Sequence, residues 1–248
     1  MKKTQLMYPP NKSRIRIPNS FIFNILFVLT TAIPICAKAQ TRFGVLAGAN
    51  FSKLAISGTG SNYEQTNFSP GLQIGITLDI PLQSKLFFQP GLSYIRKGFK
   101  VADNGYYGYG TDFKVKADYL ELPLHLIYKQ NLGKGKALLG AGPYLAYGTG
   151  GTWKSPNLAS KGDIIIGNRG DVIFRNDGFE GGALESYIYG RPFDYGLSTL
   201  LGYEFNAKIS FQVEGKFGLA NLQPDYGDFK PEGKVKNTTL GLSVGYKF

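Results

Sequence analysis

The segment Tyr119-Leu-Glu-Leu-Pro-Leu-His-Leu-Ile-Tyr128 alternates between two kinds of side chain along its length. A period of two is the signature of a β-strand, because successive side chains of a strand point to opposite faces. One face of this segment would carry only large apolar groups, while the other would carry a carboxylate and an imidazole. The first face comprises Leu120, Leu122, Leu124, Leu126 and Tyr128, and the second comprises Tyr119, Glu121, Pro123, His125 and Ile127.

Alternation of this kind recurs along the chain in eight segments of 10 to 15 residues. Strands of soluble proteins usually have about five or six residues, whereas a strand that crosses a membrane needs about 9–11. The segment lengths therefore favour membrane-spanning strands. The eight segments are 42–51, 71–80, 85–97, 114–128, 136–147, 192–204, 208–220 and 236–248.

The connections between these segments alternate between short and long. Short turns at one end and long loops at the other are typical of outer-membrane barrels, and a sheet in lipid must close so that every backbone polar group is paired. We therefore predict an all-β fold: a closed antiparallel up-and-down transmembrane β-barrel of eight strands, with long external loops and short periplasmic turns. The short connections are 81–84, 129–135 and 205–207, and the long ones are 52–70, 98–113, 148–191 and 221–235.

The large apolar faces are predicted to meet lipid, and the opposite faces, rich in Gly, Ser, Gln and Thr, to line the lumen. A soluble barrel would invert this arrangement and present a charged face to water, but the small-residue faces carry few charges. Aromatic residues at the strand ends are predicted to form two interfacial girdles. These aromatic residues are Phe43, Phe51, Tyr94, Tyr128, Tyr147, Tyr195, Tyr203 and Phe248.

The longest connection, 148–191, contains two short apolar runs. Ile164–Ile166 and Val172–Phe174 flank the turn-like sequence Gly167–Gly170. This pattern predicts a small hairpin, whose arms are too short to span lipid and would project above the barrel.

Residues 1–39 have the three parts of a secretory signal peptide. The first twenty residues carry five bases and no acid, the apolar run Phe21–Ile35 follows, and Ala37-Lys38-Ala39 is a small-x-small cleavage pattern. The apolar run is short for a retained membrane anchor, which needs about 20 residues. We therefore predict that residues 1–39 are cleaved and that 40–248 form the outer-membrane β-barrel domain, with either Met1 or Met7 as the start.

The composition restricts the class of protein further. Only 18% of the 248 residues are charged, against about a quarter in average chains, while aromatics reach 14% and there are 33 glycines. This balance disfavours a helical bundle, a coiled coil or a disordered chain. One Cys and one His exclude a multi-ligand zinc site or a disulfide framework built from those residues, and we expect no metal and no cofactor.

The formal net charge of +11 would by itself indicate a polyanionic partner. Six basic residues and no acidic ones lie in the predicted signal peptide, so 22 bases and 17 acids remain and the net charge falls to +5. The sequence places these charges in turns, loops and lumen and shows no basic stripe. We therefore expect no nucleic-acid partner.

The last nine residues, Leu240-Gly-Leu-Ser-Val-Gly-Tyr-Lys-Phe248, resemble the terminal signal by which outer-membrane barrels are recognised for insertion. The resemblance implies contact with the barrel-insertion machinery through Leu242, Val244, Tyr246 and Phe248. Four further stretches resemble the PorT-like family of small outer-membrane β-barrels common in Bacteroidetes-type bacteria. They are Tyr119–Tyr128, Gly140–Gly148, Phe43–Ser52 and Pro90–Tyr94.

The PorT-like resemblance spans roughly 42–248 and implies an eight-stranded barrel in the outer membrane. A namesake member of that family is associated with protein secretion, while most members have no assigned activity. The family supplies no catalytic residues to carry over to this chain.

A set of charged residues has the alternation expected of lumen positions. Buried charges are costly unless they are paired, so we interpret the set as a structural ion-pair cluster and assign no catalytic residue. Its candidate members are Glu121, His125, Glu204, Glu214 and Lys216, with Asp79 and Lys247 on the same faces.

Three functions are compatible with this barrel. The first is a non-enzymatic envelope interaction or secretion-associated component, with outer-membrane lipid and an envelope or secretion protein as partners. The second is a membrane-embedded enzyme that uses Glu121 and His125 as an acid/base pair, although residues four apart on one strand lie about 13 Å apart. The third is a narrow small-solute channel, although eight strands leave room for little more than side chains.

Overall fold

A computed structural model describes residues 41–58, 66–101, 112–161, 164–183, 185–206 and 208–248. The predicted signal peptide, 1–39, lies outside the described residues. Among those that are described, no helix is long and apolar enough to cross a membrane.

Long β-strands account for most of the described chain. A single turn of 3-10 helix, Gly178–Glu180, interrupts the connection after the sixth strand. The strands are β1 (Arg42–Ser57), β2 (Asn67–Pro81), β3 (Leu86–Val101), β4 (Phe113–Leu132), β5 (Gly135–Lys161), β6 (Ile164–Phe174), β7 (Tyr187–Gly190), β8 (Phe193–Phe205), β9 (Ile209–Gly218) and β10 (Lys234–Lys247).

Eight of these strands pair in a closed antiparallel ring. The order around the ring is β1, β2, β3, β4, β5, β8, β9 and β10, and β10 returns to β1 over the register from Gly44↔Lys247 to Ser57↔Lys234. The ring agrees with the predicted barrel, but the described chain has ten strands rather than eight. The eight ring strands also extend beyond several of the predicted ends, so the long connections are shorter than the sequence pattern indicated.

The two additional strands come from the predicted loop 148–191. β5 continues past the ring, β6 pairs antiparallel with this extension, and β7 pairs parallel with β6, so this part departs from up-and-down topology. The predicted hairpin over Gly167–Gly170 is wrong, because Ile164–Phe174 is one strand. The extension of β5 supplies a ladder partner on which the segment stays extended, and Gly167 absorbs the local distortion with a φ of 117°.

The polarity of the barrel wall inverts partway along its strands. In the lower part of β4, near the short turns, Leu126 is exposed on the outside while His125 is buried inside. In the upper part of the same strand, Phe113 is buried inside while Lys114 is exposed outside. The lower wall is therefore apolar outside and polar inside, as a lipid-facing barrel requires, and the upper wall has the arrangement of a soluble protein.

The apolar outer band is slightly shorter than the band of about 25 Å that is typical of outer-membrane barrels. On β1 its outermost aromatics are Phe43 and Phe51, both exposed. The eight steps between them span about 26 Å along the strand, or about 20 Å along the barrel axis at a tilt near 40°. The predicted girdle residues lie at the two edges of this band. Phe43 packs on Phe248 at one edge, and Tyr147 packs on Phe193 at the other, with ring centroids 5.8 and 5.0 Å apart.

The inversion of the wall can be tested with two substitutions on one strand. Ala47 and Ala55 are both exposed on the outer face of β1, the first inside the apolar band and the second above it. We expect Ala47→Arg to lower the free energy of unfolding by about 2–4 kcal/mol in lipid, and Ala55→Arg by no more than about 1 kcal/mol. Urea unfolding in phosphatidylcholine vesicles, followed by the fluorescence of the single tryptophan, measures both. Equal losses would contradict the assignment of the band.

Candidate functional site

The interior of the ring near the short turns holds a buried group of ion pairs, the turn-side cluster. Asp79 accepts hydrogen bonds from Gln89 Nε2 at 2.5 Å, from Lys129 Nζ at 2.6 Å and from Lys247 Nζ. Glu204 lies 3.0 Å from Lys129 Nζ and 3.2 Å from Lys247 Nζ. Each carboxylate is thus shared by both lysines, which offsets the cost of burying four charges.

A second group, the central cluster, lies further from the turns. Glu121 sits between two lysines: its Oε2 is 3.0 Å from Lys97 Nζ, and its Oε1 contacts Lys216 Nζ. Lys97 also pairs with Asp194 at 2.9 Å, and Lys216 with Glu214 at 3.3 Å. The side chains of Lys97 and Glu121 are completely buried, so these contacts replace the water that the charges lack.

His125 belongs to the central cluster but does not pair with Glu121. Its Nε2 lies 2.7 Å from Ser198 Oγ and 3.2 Å from Glu214 Oε1. A nucleophilic triad needs the serine on one ring nitrogen and the carboxylate on the other, whereas here both contacts fall on the same nitrogen. Ser198 Oγ also donates to the carbonyl of Gly142 at 3.1 Å. The arrangement suits a structural hydrogen-bond network rather than an acid/base pair.

The space between the two clusters is a small polar cavity of about 20 Å³. Such a volume holds about one water molecule, far below the several hundred Å³ of ligand pockets. Its lining includes Gln73, Gln89, Ser93, His125, Gln212 and Ser243.

Above the central cluster the interior is aromatic, which corrects the predicted small and polar lumen. We call this group the aromatic core. Trp153 and Phe113 pack with ring centroids 5.7 Å apart, and Tyr119 meets Phe174 edge-on at 5.2 Å. Its rings belong to Phe99, Phe113, Tyr119, Tyr144, Trp153, Phe174 and Tyr189. Apart from the small cavity beside His125, side chains therefore fill the described ring.

The aromatic core is bonded to the central cluster. The Tyr189 hydroxyl donates to Asn237 Oδ1 at 2.7 Å, and Asn237 Nδ2 donates to Asp194 Oδ2 at 2.9 Å. Burial raises the pKa of Tyr189, so this hydroxyl keeps its proton and can act as the donor. Lys97 Nζ also lies 4.9 Å from the centroid of the Tyr119 ring, within cation–π range.

The structure places all five predicted lumen residues inside the ring, together with partners that the sequence reasoning missed. Lys97, Lys129 and Asp194 have the same alternation as neighbouring inward residues, so parity along the strand could have identified them. Lys129 was missed because the predicted strand ended at 128, one residue short. Among the described residues, no group of three or more His, Cys, Asp or Glu side chains could hold a metal ion.

Two long connections fold together over the external end of the barrel. We call their described residues, 175–183 and 219–233, the external cap. Asp177 joins them: its carboxylate accepts from Phe179 N at 2.8 Å and from Gly227 N at 3.2 Å. Arg191 Nη2 fixes the second connection through Asp225 Oδ1 at 2.7 Å. The cap is therefore an ordered structure held by both of its connections.

The external cap presents aromatic side chains to the outside. Phe179 is 75% exposed and Phe229 is 67% exposed. Phe179 packs edge-on against Tyr226 with ring centroids 5.7 Å apart. Large rings held in water by a hydrogen-bonded scaffold are typical of contact surfaces.

The residues of the predicted insertion signal lie along the last strand. Leu242, Val244 and Tyr246 are exposed on the outer face of β10, within the apolar band. Phe248 follows β10, and its amide donates to the carbonyl of Phe43 at 2.9 Å. The C-terminal residues thus complete the seam that closes the ring.

A closed ring with an apolar outer band and an ion-paired interior defines a transmembrane β-barrel. A family model described as "Outer membrane protein beta-barrel domain" matches residues 38–223. The chain therefore belongs to the outer-membrane β-barrel family, and this membership places it in the outer membrane.

Several solved structures that are similar to this chain are those of outer-membrane proteins. OprG from Pseudomonas aeruginosa is 16% identical, with 85% of this chain covering 97% of that one at a TM-score of 0.45. Neisserial surface protein A is 16% identical, with 83% covering 97% at a TM-score of 0.41. A major outer membrane protein from Thermus thermophilus is 15% identical, with 84% covering 100% at a TM-score of 0.38. No curated protein sequence matches the chain.

The central cluster makes a prediction about stability. Lys216→Met leaves Glu121 and Glu214 buried without their shared cation, and we expect a loss of about 3–5 kcal/mol in the free energy of unfolding. Lys134→Met removes an exposed lysine in a turn and should change the stability by less than about 0.5 kcal/mol. Urea unfolding of both variants in lipid vesicles measures the difference. A loss below about 1 kcal/mol for Lys216→Met would show that the cluster is not held by this lysine.

Proposed function

We propose that this barrel is a non-enzymatic component of the outer membrane, of the PorT-like kind, that contacts another envelope protein or part of a secretion apparatus. The observation that carries the proposal is the combination of a filled lumen with an ordered, aromatic external cap. Such a molecule offers surfaces for contact and little interior volume for chemistry or transport. The proposal includes export of the protein under the direction of residues 1–39, which are then cleaved.

The filled lumen argues against the channel and enzyme alternatives. A solute would have to displace both the aromatic core around Trp153 and the ion pairs around Glu121, and the cavity of about 20 Å³ beside His125 is too small for a substrate. The same ring nitrogen of His125 faces both Ser198 and Glu214, which is unsuited to nucleophile activation.

The external cap supports a contact role because its aromatic side chains are already in place. Gly178 N donates to Asp225 O at 2.7 Å, and Tyr226 and Phe229 exchange two backbone hydrogen bonds of 2.9 and 3.1 Å. A surface fixed in this way loses little conformational entropy when a partner binds. Phe179 and Phe229 are the side chains that we expect to anchor the partner.

Site-specific cross-linking tests the contact. A photoreactive phenylalanine analogue at position 229, in cells that produce the protein naturally, should give one discrete protein adduct. Phe179→Ser should reduce the adduct about tenfold or more, because the loss of a central aromatic anchor typically costs over 1.4 kcal/mol. The same analogue at position 134, in a turn at the other end, serves as the matched control. Identical adducts from both positions, or none from 229, would contradict the proposal.

The two alternatives have their own readouts in the same protein. Ser198→Ala and His125→Ala should leave the adduct and the lipid profile of the cells unchanged, whereas an enzyme would lose its product. The wild-type barrel in planar bilayers should give no stepwise conductance, because side chains fill the described lumen. Reproducible conductance steps would support the channel hypothesis instead.

Signal-peptide cleavage is tested separately. Edman degradation or mass spectrometry of the protein purified from outer membranes should give an N-terminus at Gln40. A retained N-terminus upstream of Phe21 would contradict the cleavage.

A further inference from the structure

Four cations lie side by side across the outer face of the upper barrel wall. In the strand registers Lys100 is opposite Lys114, Lys114 is opposite Lys154, and Lys154 is opposite Arg169. Directly opposed residues of antiparallel strands point to the same face, with Cα atoms about 4.5–5.5 Å apart. The four residues therefore form one continuous row over β3, β4, β5 and β6, which we call the basic row.

The basic row brings like charges directly opposite one another in three strand pairs. Like charges directly opposite one another destabilise a sheet. Among the described residues, none of the four row members makes a salt bridge. The contrast lies four residues below on β3 and β4, where Arg96 Nε pairs with Asp118 Oδ1 at 2.6 Å on the same outer face. Exposed Asp112 and Asp171 lie two residues from Lys114 and Arg169, so two acids stand beside four cations. The row therefore keeps an excess of positive charge that an external anion can neutralise.

The position of the basic row indicates what supplies the anion. The row faces outward from the barrel wall, on the same face as the apolar band, so it meets what surrounds the barrel rather than what arrives from above. Lys114 lies six residues beyond Leu120, at the upper edge of the band, which corresponds to about 20 Å along the strand and about 15 Å along the barrel axis. An ordinary phospholipid headgroup layer extends only about 5–7 Å beyond the hydrocarbon core. The occupant therefore needs a headgroup large enough to carry its charge higher.

Phosphate is the chemistry that fits this row. Lysine and arginine side chains on neighbouring strands can contact several oxygens of one phosphate, and charge-assisted hydrogen bonds of this type are among the stronger ones at a surface. Lys116, on the same face between the row and the band, adds a cation along the path from the lipid to the row.

We propose that the basic row binds phosphate groups on the saccharide headgroup of an outer-leaflet glycolipid. The acyl chains of this glycolipid lie against the apolar band below, and its phosphorylated headgroup reaches Lys100, Lys114, Lys154 and Arg169. The row thus selects the lipid that surrounds one side of the barrel, the side formed by β3 to β6.

The test uses the full-length mature barrel in nanodiscs of phosphatidylcholine, with and without a rough-type lipopolysaccharide that carries a phosphorylated core. Native mass spectrometry counts bound glycolipid, and the thermal midpoint of unfolding gives the linked stabilisation. The variant is Lys114→Gln with Lys154→Gln. The matched control is Lys134→Gln with Lys208→Gln, which removes two exposed lysines at the opposite end of the barrel.

The two substitutions are expected to have opposite effects in the two lipids: no loss of stability in pure phosphatidylcholine, and weaker lipid binding in the glycolipid nanodiscs. In pure phosphatidylcholine the Lys114→Gln, Lys154→Gln variant should be as stable as the wild type or more so, because cross-strand repulsion is relieved. In the glycolipid nanodiscs its affinity for the glycolipid should be lower by about tenfold or more, because each lysine near a charged lipid surface contributes to the attraction. The control pair should bind like the wild type.

Three outcomes would overturn the proposal. One is equal glycolipid binding by the wild type and the Lys114→Gln, Lys154→Gln variant. Another is undiminished binding of the same glycolipid after its phosphates are removed enzymatically. The third is stabilisation of equal size by the water-soluble phosphorylated saccharide without acyl chains, which would make a soluble polyanion the occupant.

Discussion

The pairing of β10 with β1 is the contact on which the rest of this barrel depends. Backbone groups in lipid have no water to bind, so a sheet that spans a membrane must have no open edge. Once the ring is closed, its diameter is fixed by eight strands, and its interior can hold little more than side chains. The ion pairs and aromatic rings inside therefore follow from the closure rather than cause it.

The kind of side chain inside the barrel depends on its height along the barrel axis. Where the wall is surrounded by the apolar band, charges such as Glu121 and Lys129 can be buried because each finds partners on facing strands. Where the wall rises above the band, Phe113 and Trp153 fill the same ring with an ordinary apolar core. The hydrogen bonds from Tyr189 through Asn237 to Asp194 connect these two regimes, so the upper and lower parts of the barrel are stabilised by one continuous network.

Much of this fold could be predicted from parity along single strands. Alternation correctly assigned the faces of Tyr119–Tyr128, including Glu121 and His125 inside and Leu120 outside. It could not place β6 and β7, because their ladder partner is an extension of β5 that the sequence pattern does not mark. It also missed the aromatic core. The alternation along a strand is the same below the membrane surface, where the polar face points inward, and above it, where the apolar face points inward.

The basic row marks a different limit of sequence reasoning. The sequence shows no basic stripe, because Lys100, Lys114, Lys154 and Arg169 are separated by 14, 40 and 15 positions along the chain. Only the cross-strand register assembles them. A barrel can therefore conceal a charged surface from any search that looks for charges close together in sequence.

The change of wall polarity between Asp118 and Leu120 also sets how deeply the barrel sits in its bilayer. Sinking the molecule by one pair of residues would carry the Arg96–Asp118 ion pair towards hydrocarbon, and raising it would strip lipid from Leu120 and the aromatic residues beside it. Both displacements cost free energy, so the barrel has a narrow range of preferred depths in the bilayer. A membrane of different thickness would have to deform around the barrel, rather than the barrel shifting to suit the membrane.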